Sequence, residues 1–334
     1  MSKRSSIQLC ISIFSHAARP EQPTLPHPNF IVPGSDPTGL WGRIEDRLWN
    51  DVFTRDTHFV CPNGFRGSNC GCTPERFAGD NVDPDNFCVA YDNVRCGFLG
   101  RKAWRAVFHD FGTYNKNDDT GGLNGSLRYE LNSEKNLGNE LRQIINIYEE
   151  ILAEEVDALG TMDNGDPRGM ADLIVLGGVL ALYGCGHPGL MFSPGREDAS
   201  VPDADILPAA DESPEVMFGK FDRMGFSRAE VVTLMAAGHT VANGLEGAAF
   251  DSTPAQFDMG WFGQTLAGVA GVDNFPQFQQ APFIVNTDAH LVNNDETRAI
   301  MVHRATASNG KATFLEDFEN VSLTDHEETR PLHA

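Results

Sequence analysis

The chain has 334 residues, of which 41% are hydrophobic, enough for one large core or for two smaller halves around a cleft. Its 47 acidic residues outnumber its 25 basic residues, and the formal net charge is −22. This excess of negative charge argues against nucleic acid or an anionic membrane surface as a partner. Outside the amino terminus, no apolar run reaches the roughly 20 residues needed to cross a bilayer.

The amino terminus is predicted to be a processed leader. Residues 1–17 combine a basic start, a short apolar run and a small-residue end, which are typical of a secretory signal. Residues 18–55 are predicted to be a leader or linker, because proline and polar residues dominate their first half. The chain is therefore expected to be secreted, and its acidity agrees with that expectation.

The cysteines are expected to form disulfides. If Cys10 leaves with the signal, six cysteines remain, and an even number in a secreted chain suggests three disulfides. Four of them lie close together and allow three pairings, which stay open: Cys61, Cys70, Cys72 and Cys88. A four-cysteine zinc site is the alternative, although the spacing lacks the paired Cys-x-x-Cys of common zinc folds.

The segment Trp104-Arg-Ala-Val-Phe-His-Asp110 is the first that indicates chemistry. At helical spacing Arg105, Phe108 and His109 share one face. A permanent cation, an aromatic ring and a titratable imidazole that point the same way indicate a reaction site. The alternative is an amphipathic helix that carries arginine and histidine on its solvated face.

The middle of the chain is predicted to be helical. Apolar residues from Leu137 to Val156 recur at helical spacing, and Asp166-Pro167 is a typical helix start. The apolar run from Leu173 to Tyr183 predicts a buried helix. Residues 186–214 are rich in glycine, proline and aspartate and are predicted to be loops.

The next predicted helix ends near a single imidazole, His239. Ser227 and Glu230 form a capping box ahead of it. Neutral imidazole is a common iron ligand, although a lone histidine on an apolar helix is more often a core residue. Eleven residues later begins Phe250-Asp-Ser-Thr-Pro-Ala-Gln-Phe-Asp258, whose hard oxygen atoms suit calcium.

Taken in this order, the motifs resemble the plant, fungal and bacterial haem peroxidase superfamily. Arg-x-x-Phe-His-Asp, Ala-Gly-His-Thr and Phe-Asp-Ser-Thr-Pro carry the resemblance, which runs from about Cys96 to about Asp295 and is greatest to the secreted fungal branch. It implies an all-α fold with a distal half over residues 56–200, a proximal half over 201–334, and haem b between them. It also implies a disulfide between Cys96 and Cys185.

The resemblance assigns a role to each residue around the haem. His109 would take a proton from hydrogen peroxide and return it to the far oxygen, while Arg105 would stabilise the developing negative charge. Asn136, otherwise an ordinary helix-start residue, would hold His109 in the useful tautomer. His239 would be the proximal iron ligand and Asp288 its hydrogen-bond acceptor. Phe108 and Phe250 would contact the haem side of the two pockets, although packing also explains Phe250.

Two calcium sites are implied as well. The proximal ligands would be Thr240, Asp251, Thr253, the backbone of Gln256, and Asp258. The distal ligands would be Asp110, Gly122, Asn124 and Ser126. The family usually has aspartate where this chain has Asn124, so the distal ion is expected to bind more weakly. Asn124-Gly-Ser126 is also a glycosylation sequon, but a buried ligand could not carry a sugar.

Two departures from the resemblance narrow the expected substrate. Phe98 and Lys102 occupy the positions of the two glutamates of manganese-oxidising relatives, and Leu234 occupies that of the surface tryptophan of lignin-oxidising relatives. The expectation is a monomeric peroxidase that uses hydrogen peroxide to oxidise small phenolic or other one-electron donors. The alternatives are a catalytically silent extracellular module that binds haem and calcium, and a thiolate-ligated haem peroxygenase, for which Cys61-Pro-Asn63 is the only hint.

Overall fold

The computed structural model of the protein describes residues 27–53, 96–136, 141–242 and 249–327; the side chains of Phe98 and of residues 321–327 are not described. The predicted signal segment and Cys10, Cys61, Cys70, Cys72 and Cys88 lie outside the described residues, and so does Leu137.

Within the described residues the chain is helical. The only β-structure there consists of isolated bridges, such as that between Ile31 and Phe192. The all-α prediction is therefore confirmed. A short π-helix spans Leu48–Val52, and the α-helices are α1 Leu40–Arg47, α2 Phe98–Phe111, α3 Leu127–Glu130, α4 Arg142–Glu154, α5 Val156–Leu159, α6 Met170–Gly184, α7 Pro214–Met224, α8 Arg228–His239, α9 Gly260–Ala270, α10 Asn286–Asn293, α11 Asp295–Thr306 and α12 Gly310–Glu327.

Helix α6 lies at the centre of the first of two apolar clusters. Almost all of its residues are buried, as the apolar run in the sequence predicts, and α1, α2 and α4 pack around it. Gly177 and Gly178 make this packing close. A Cβ atom on Gly178 would lie 2.3 Å from Val107 of α2, and one on Gly177 would lie 1.9 Å from the Tyr148 hydroxyl of α4. The two glycines therefore set how near α2 and α4 approach α6.

The second cluster is built from α7, α8, α9, α11 and α12. Its largest side chains are aromatic, with Trp261, Phe262 and Phe314 fully buried. The expected disulfide between Cys96 and Cys185 is present, and it ties the start of α2 to the end of α6 beside this cluster. Helix α2 thus runs between the two clusters, and Trp104 packs against both.

Residues 40–53 differ from the predicted linker. Helix α1 and the π-helix bury Leu40, Ile44 and Leu48 in the first cluster, and the ring of Trp41 lies 5.6 Å from that of Phe192. The prediction of a linker over 18–55 is therefore wrong for this part. An element of only eight residues shows the helical period over little more than two turns, which the preceding proline-rich sequence obscures.

The start of α6 also differs from expectation. Asp166 and Pro167 lie before the helix, where Pro167 forms an isolated bridge with Thr161, and the helix begins at Met170 after Gly169, whose φ is 102°. The carboxylate of Asp198 accepts backbone N–H bonds from Gly169, Met170 and Ala171. A side chain 28 residues further along the chain from Met170 thus caps the helix, and no local pattern could show this.

The sequence motif that predicts the start of α8 agrees with the structure. Ser227 accepts from the backbone N–H of Glu230, and the Glu230 side chain accepts from the Ser227 N–H, so the predicted capping box is confirmed.

Residues 186–213 form loops, as predicted. Among the described residues no helix combines the length and the apolar character that a membrane span requires.

Candidate functional site

Helix α2 presents the predicted distal residues on one face. Arg105 and His109 are one helical turn apart, and Arg105 Nε donates a hydrogen bond of 3.1 Å to His109 Nε2. On the other side of the ring, His109 Nδ1 donates to Asn136 Oδ1 at 2.6 Å. Phe108 lies edge-on to the imidazole, with 6.0 Å between ring centroids.

The tautomer of His109 follows from this chain of hydrogen bonds. Asn136 Nδ2 donates to the backbone oxygen of Glu130 at 3.1 Å, which turns the amide oxygen of Asn136 toward the imidazole. Nδ1 of His109 therefore carries the proton, and Nε2 keeps its lone pair. The structure thus brings the three predicted distal residues together with a lone pair exposed to Arg105.

The environment keeps His109 uncharged. Burial, together with the nearby Arg105 cation, lowers the pKa of His109 to about 3, although the Asn136 hydrogen bond acts in the opposite direction. Burial also lowers the pKa of Arg105 to about 10, which leaves the guanidinium charged at neutral pH. The pair therefore combines a free base with a permanent positive charge, as proton transfer to and from a substrate oxygen requires.

The predicted proximal residues also converge. His239, the last residue of α8, donates from Nδ1 to Asp288 Oδ1 of α10 at 2.9 Å, and Asp288 is fully buried. Phe250 stacks on the imidazole with 4.0 Å between ring centroids and 4° between ring planes. Trp261 meets the same ring edge-on at 5.9 Å. Because Nδ1 is engaged, Nε2 is the nitrogen left to coordinate a metal.

The residue after His239 belongs to a cluster of oxygen atoms. Thr240 Oγ1 lies 3.2 Å from Asp251 Oδ2, 3.4 Å from the backbone oxygen of Gln256 and 3.3 Å from that of Asp258. Thr253 Oγ1 donates to Asp258 Oδ2 at 2.8 Å. All five predicted proximal calcium residues are therefore neighbours in the structure.

The charge at this cluster is unbalanced. Burial and the adjacent Asp258 raise the pKa of Asp251 to about 7, and no lysine or arginine among the described residues forms an ion pair with either carboxylate. Two carboxylates and three neutral oxygen groups suit a divalent cation that prefers oxygen. The described residues contain no group of three or more His, Cys, Asp or Glu side chains fit to hold a metal ion.

The predicted distal calcium residues form a different arrangement. The two carboxylate oxygens of Asp110 accept the backbone N–H groups of Gly125 and Leu127, at 2.9 and 3.1 Å. Burial raises the pKa of Asp110 to about 8. The Gly122 N–H donates to Thr113 Oγ1 at 3.1 Å. These hydrogen bonds join the end of α2 and the residues just after it to the loop before α3 and to the first residue of α3.

Asp203 is the residue at this place that the sequence analysis missed. Its carboxylate accepts from both Asn124 and Ser126: Asn124 Nδ2 lies 3.2 and 3.1 Å from its two oxygens, and Ser126 Oγ lies 3.0 Å from Oδ2. The Ser126 N–H donates to Asn124 Oδ1, which orients the amide so that its NH₂ group faces Asp203. The amide nitrogen that a glycan would modify is therefore engaged. Asp203 lies 79 residues from Asn124 along the chain, so the sequence could not show that the two residues meet. The only signal in the sequence was that the loop carrying Asp203 is rich in aspartate.

The residues used to narrow the substrate are only partly described. Lys102 is half-buried on α2, and Leu234 packs against the second cluster. The side chain of Phe98 lies outside the described set.

Comparison with known proteins places these motifs in context. Residues 90–307 match the sequence model of the family described as peroxidase. The chain is 35% identical over 173 residues to L-ascorbate peroxidase 5, peroxisomal, of Arabidopsis thaliana, a match that covers 49% of this chain and 57% of that protein. It is 32% identical over 160 residues to the mitochondrial cytochrome c peroxidase of Cryptococcus neoformans var. neoformans, covering 45% and 40%. The chain thus spans about half the length of the curated relatives it matches.

These similarities correct one prediction. The two relatives named above are called peroxisomal and mitochondrial, and the prediction that this chain is secreted is wrong. Acidity and a short apolar amino-terminal run do not specify a compartment, because many intracellular proteins share both. The greater resemblance to the secreted fungal branch is likewise not supported by ascorbate and cytochrome c peroxidases as relatives.

Proposed function

Since this chain belongs to the haem peroxidase superfamily, as its match over residues 90–307 shows, we propose that it uses hydrogen peroxide to oxidise small one-electron donors. The observation that carries the proposal is the distal pair, in which an uncharged His109 is hydrogen-bonded to Arg105 on one side and to Asn136 on the other. A proximal imidazole with a buried carboxylate partner completes the set.

Haem fits the described residues. His239 has one nitrogen bound to Asp288 and the other free for a metal, and Phe250 fixes the ring plane by stacking. When bound, haem supplies an iron that holds peroxide and accepts its oxidising equivalents. The carboxylate of Asp288 makes the imidazole a stronger electron donor to that iron.

The distal residues move the protons. His109 Nε2 takes the proton from the peroxide oxygen that would lie nearer the haem iron and gives it to the other peroxide oxygen. As the O–O bond breaks, that second oxygen leaves as water. Arg105 stabilises the negative charge on the departing oxygen, because its guanidinium is charged throughout. Asn136 keeps His109 in the tautomer that can accept the first proton.

Calcium is proposed for the proximal side only. The cluster around Asp251 and Asp258 has carboxylates without an ion-pair partner in the described residues, and Thr240 joins that cluster to His239. An ion there would hold the end of α8 in place. The distal residues do not support calcium to the same degree, because Asp110, Asn124 and Ser126 are already engaged with backbone N–H groups and with Asp203.

The donor is proposed to be a small phenol. Lys102 repels a divalent cation where manganese would bind, and the apolar Leu234 cannot act as an oxidisable surface residue. The names of the relatives suggest two other donors, ascorbate and cytochrome c. A catalytically silent module is disfavoured because the distal hydrogen-bond chain is intact, and Cys61, the residue on which a thiolate enzyme would depend, is outside the described residues.

The experiment compares donors on the haem-loaded protein. Guaiacol, ascorbate, ferrocytochrome c and manganese(II) with a chelating organic acid are each supplied with hydrogen peroxide, and saturable turnover is measured. We expect saturation with guaiacol and none with manganese(II). Saturation with ascorbate or cytochrome c alone would reject the phenol, and a Soret band without turnover of any donor would support the silent module. A spectrum of the reduced carbon monoxide complex separates imidazole from thiolate ligation.

A further inference from the structure

Trp104 connects the distal helix to the proximal helix. It lies on α2 directly before Arg105, and its indole Nε1 donates a hydrogen bond of 3.0 Å to the backbone oxygen of Ala237 on α8. Ala237 is two residues before His239. One side chain therefore joins the helix that carries the distal pair to the last turn of the helix that carries the proximal imidazole.

The carbonyl that receives this hydrogen bond belongs to the end of a helix. Helix α8 ends at His239, so the oxygen of Ala237 is among the last four carbonyls, which find no N–H partner within their own helix. The indole N–H satisfies this oxygen. The contact is thus specific for a donor at this point, and a ring without an N–H group could not replace it.

The indole ring has little freedom to move. Gly178 of α6 lies against the ring, since a Cβ atom there would be 3.4 Å from Trp104 Cε3, an ordinary van der Waals contact. Phe318 of α12 meets the ring edge-on, with 5.9 Å between centroids. The ring is partly buried between both apolar clusters. Helices α2, α6 and α12 therefore hold the indole ring in place, with its N–H group directed at α8.

Most other packing of the two helices is directed elsewhere. Helix α2 packs chiefly on α6, whereas α8 packs chiefly on α11 and α12. The hydrogen bond of Trp104 is therefore a direct tie between them.

We propose that Trp104 is a positioning residue that sets the separation between the distal pair and the proximal imidazole. The inference rests on the proposed function, in which haem lies between Arg105 and His239. Without the hydrogen bond, the end of α8 loses its tie to α2, and the imidazole of His239 shifts relative to its partner Asp288 and to the haem. A displacement of about 1 Å at such a site costs about 100-fold in rate.

The test is Trp104→Phe, which keeps an aromatic ring and deletes the donor. Trp41→Phe is the matched control, because it also shortens a buried tryptophan of the first cluster but lies on α1. Replacing Trp104 with 3-benzothienylalanine is the second variant, since it keeps the bicyclic ring and puts a sulfur atom, which cannot donate a hydrogen bond, in place of the N–H group.

Four quantities are measured on each protein: the melting temperature of the haem-free form, haem affinity by titration, the iron–histidine stretching frequency by resonance Raman, and the rate constant with peroxide. We expect both Trp104 variants to bind haem about fivefold more weakly, as the loss of one neutral hydrogen bond implies. We also expect a shifted iron–histidine frequency and a peroxide rate lowered about 10- to 100-fold, with melting temperatures close to that of the control.

Two results have different meanings. If the wild-type protein neither binds haem nor reacts with peroxide, the proposed function fails. If the wild-type protein reacts while the Trp104 variants match Trp41→Phe in iron–histidine frequency, haem affinity and peroxide rate, the positioning role of Trp104 is rejected and the proposed function stands.

Discussion

At the scale of the residue, the proposed function depends on His109 remaining uncharged while its ring is buried. Among the described residues its ring forms hydrogen bonds with Arg105 and Asn136. Burial gives the imidazole a low pKa, and the cation of Arg105 lowers it further. The base is therefore available over a wide pH range.

Replacing His109 by alanine tests its proposed role. We expect the rate constant with hydrogen peroxide to fall by several orders of magnitude, because base catalysis contributes about 10²- to 10⁴-fold and the positioned arginine then lacks its partner. Haem binding should persist, since His239 is unchanged. Stopped-flow absorbance measures the rate, and the exposed His303→Ala variant is the control. A rate equal to that of the control would contradict the assignment.

Asn136→Asp should move the pH dependence of the same step. A carboxylate beside Nδ1 stabilises the imidazolium, so the pKa of His109 rises from its low value of about 3. The base is lost as the pH falls below its pKa, and the acid limb of the rate profile therefore shifts to higher pH in the variant. Rate constants between pH 4 and 8 check this, and an unshifted limb would mean that His109 is not the base in this step.

At the scale of the element, the loop before α3 is joined to the loop that carries Asp203 by an amide–carboxylate contact. Asn124 Nδ2 faces both oxygens of Asp203. The neutral amide of Asn124 thus donates a hydrogen bond to Asp203, whereas a carboxylate in its place would face Asp203 with the same charge and would need a cation between them.

Asn124→Asp should convert this contact into a calcium-dependent one. Two facing carboxylates repel each other, so we expect the melting temperature in chelator to fall by several degrees and to recover with calcium. Calorimetric titration should show one more calcium ion bound than by the wild-type protein. Asn124→Ala, which removes the donor without adding charge, should lose stability and gain no calcium response. Equal stoichiometry in wild type and Asn124→Asp would show that the distal site already holds calcium.

At the scale of the whole molecule, the proximal oxygen cluster links stability to pH. The pKa of Asp251 rises from 3.8 to about 7 on folding in the absence of metal, chiefly because the carboxyl group is buried. Between about pH 4 and pH 7, the Asp251 carboxyl group therefore keeps its proton in the folded state and has lost it in the unfolded state. The contribution of Asp251 to the free energy of unfolding is fully present below about pH 4 and is lost as the pH rises through about 7.

The chelated protein should therefore be destabilised by Asp251 as the pH rises from 4 to 7, and calcium should restore the loss most strongly above pH 7. Denaturant unfolding with and without calcium at pH 5 and pH 8 measures this difference. Asp251→Asn should remove both the pH dependence and most of the calcium response, whereas the exposed Asp295→Asn should change neither. A calcium effect that is equal at both pH values would contradict the argument.

The amino-acid sequence by itself predicted the helical fold, and its motifs, through the resemblance to haem peroxidases, predicted the residues of the distal and proximal sites. Arg105 and His109 lie one turn apart on a helix, so their spacing alone places them on one face, whereas the grouping of Thr240, Asp251 and Asp258 was implied by the resemblance. The capping box at Ser227 and the buried helix α6 are local for the same reason.

The tertiary structure alone decided which distant groups complete these local ones. Asp198 caps α6 from the loop that follows it, Asp203 meets Asn124 across 79 residues, and Trp104 reaches Ala237 across 133. Each of these bonds satisfies a polar group that folding would otherwise leave without a partner, and its partner is chosen by packing rather than by spacing. The same holds for residues 40–53, whose short apolar pattern acquires meaning only when α6 is there to cover it.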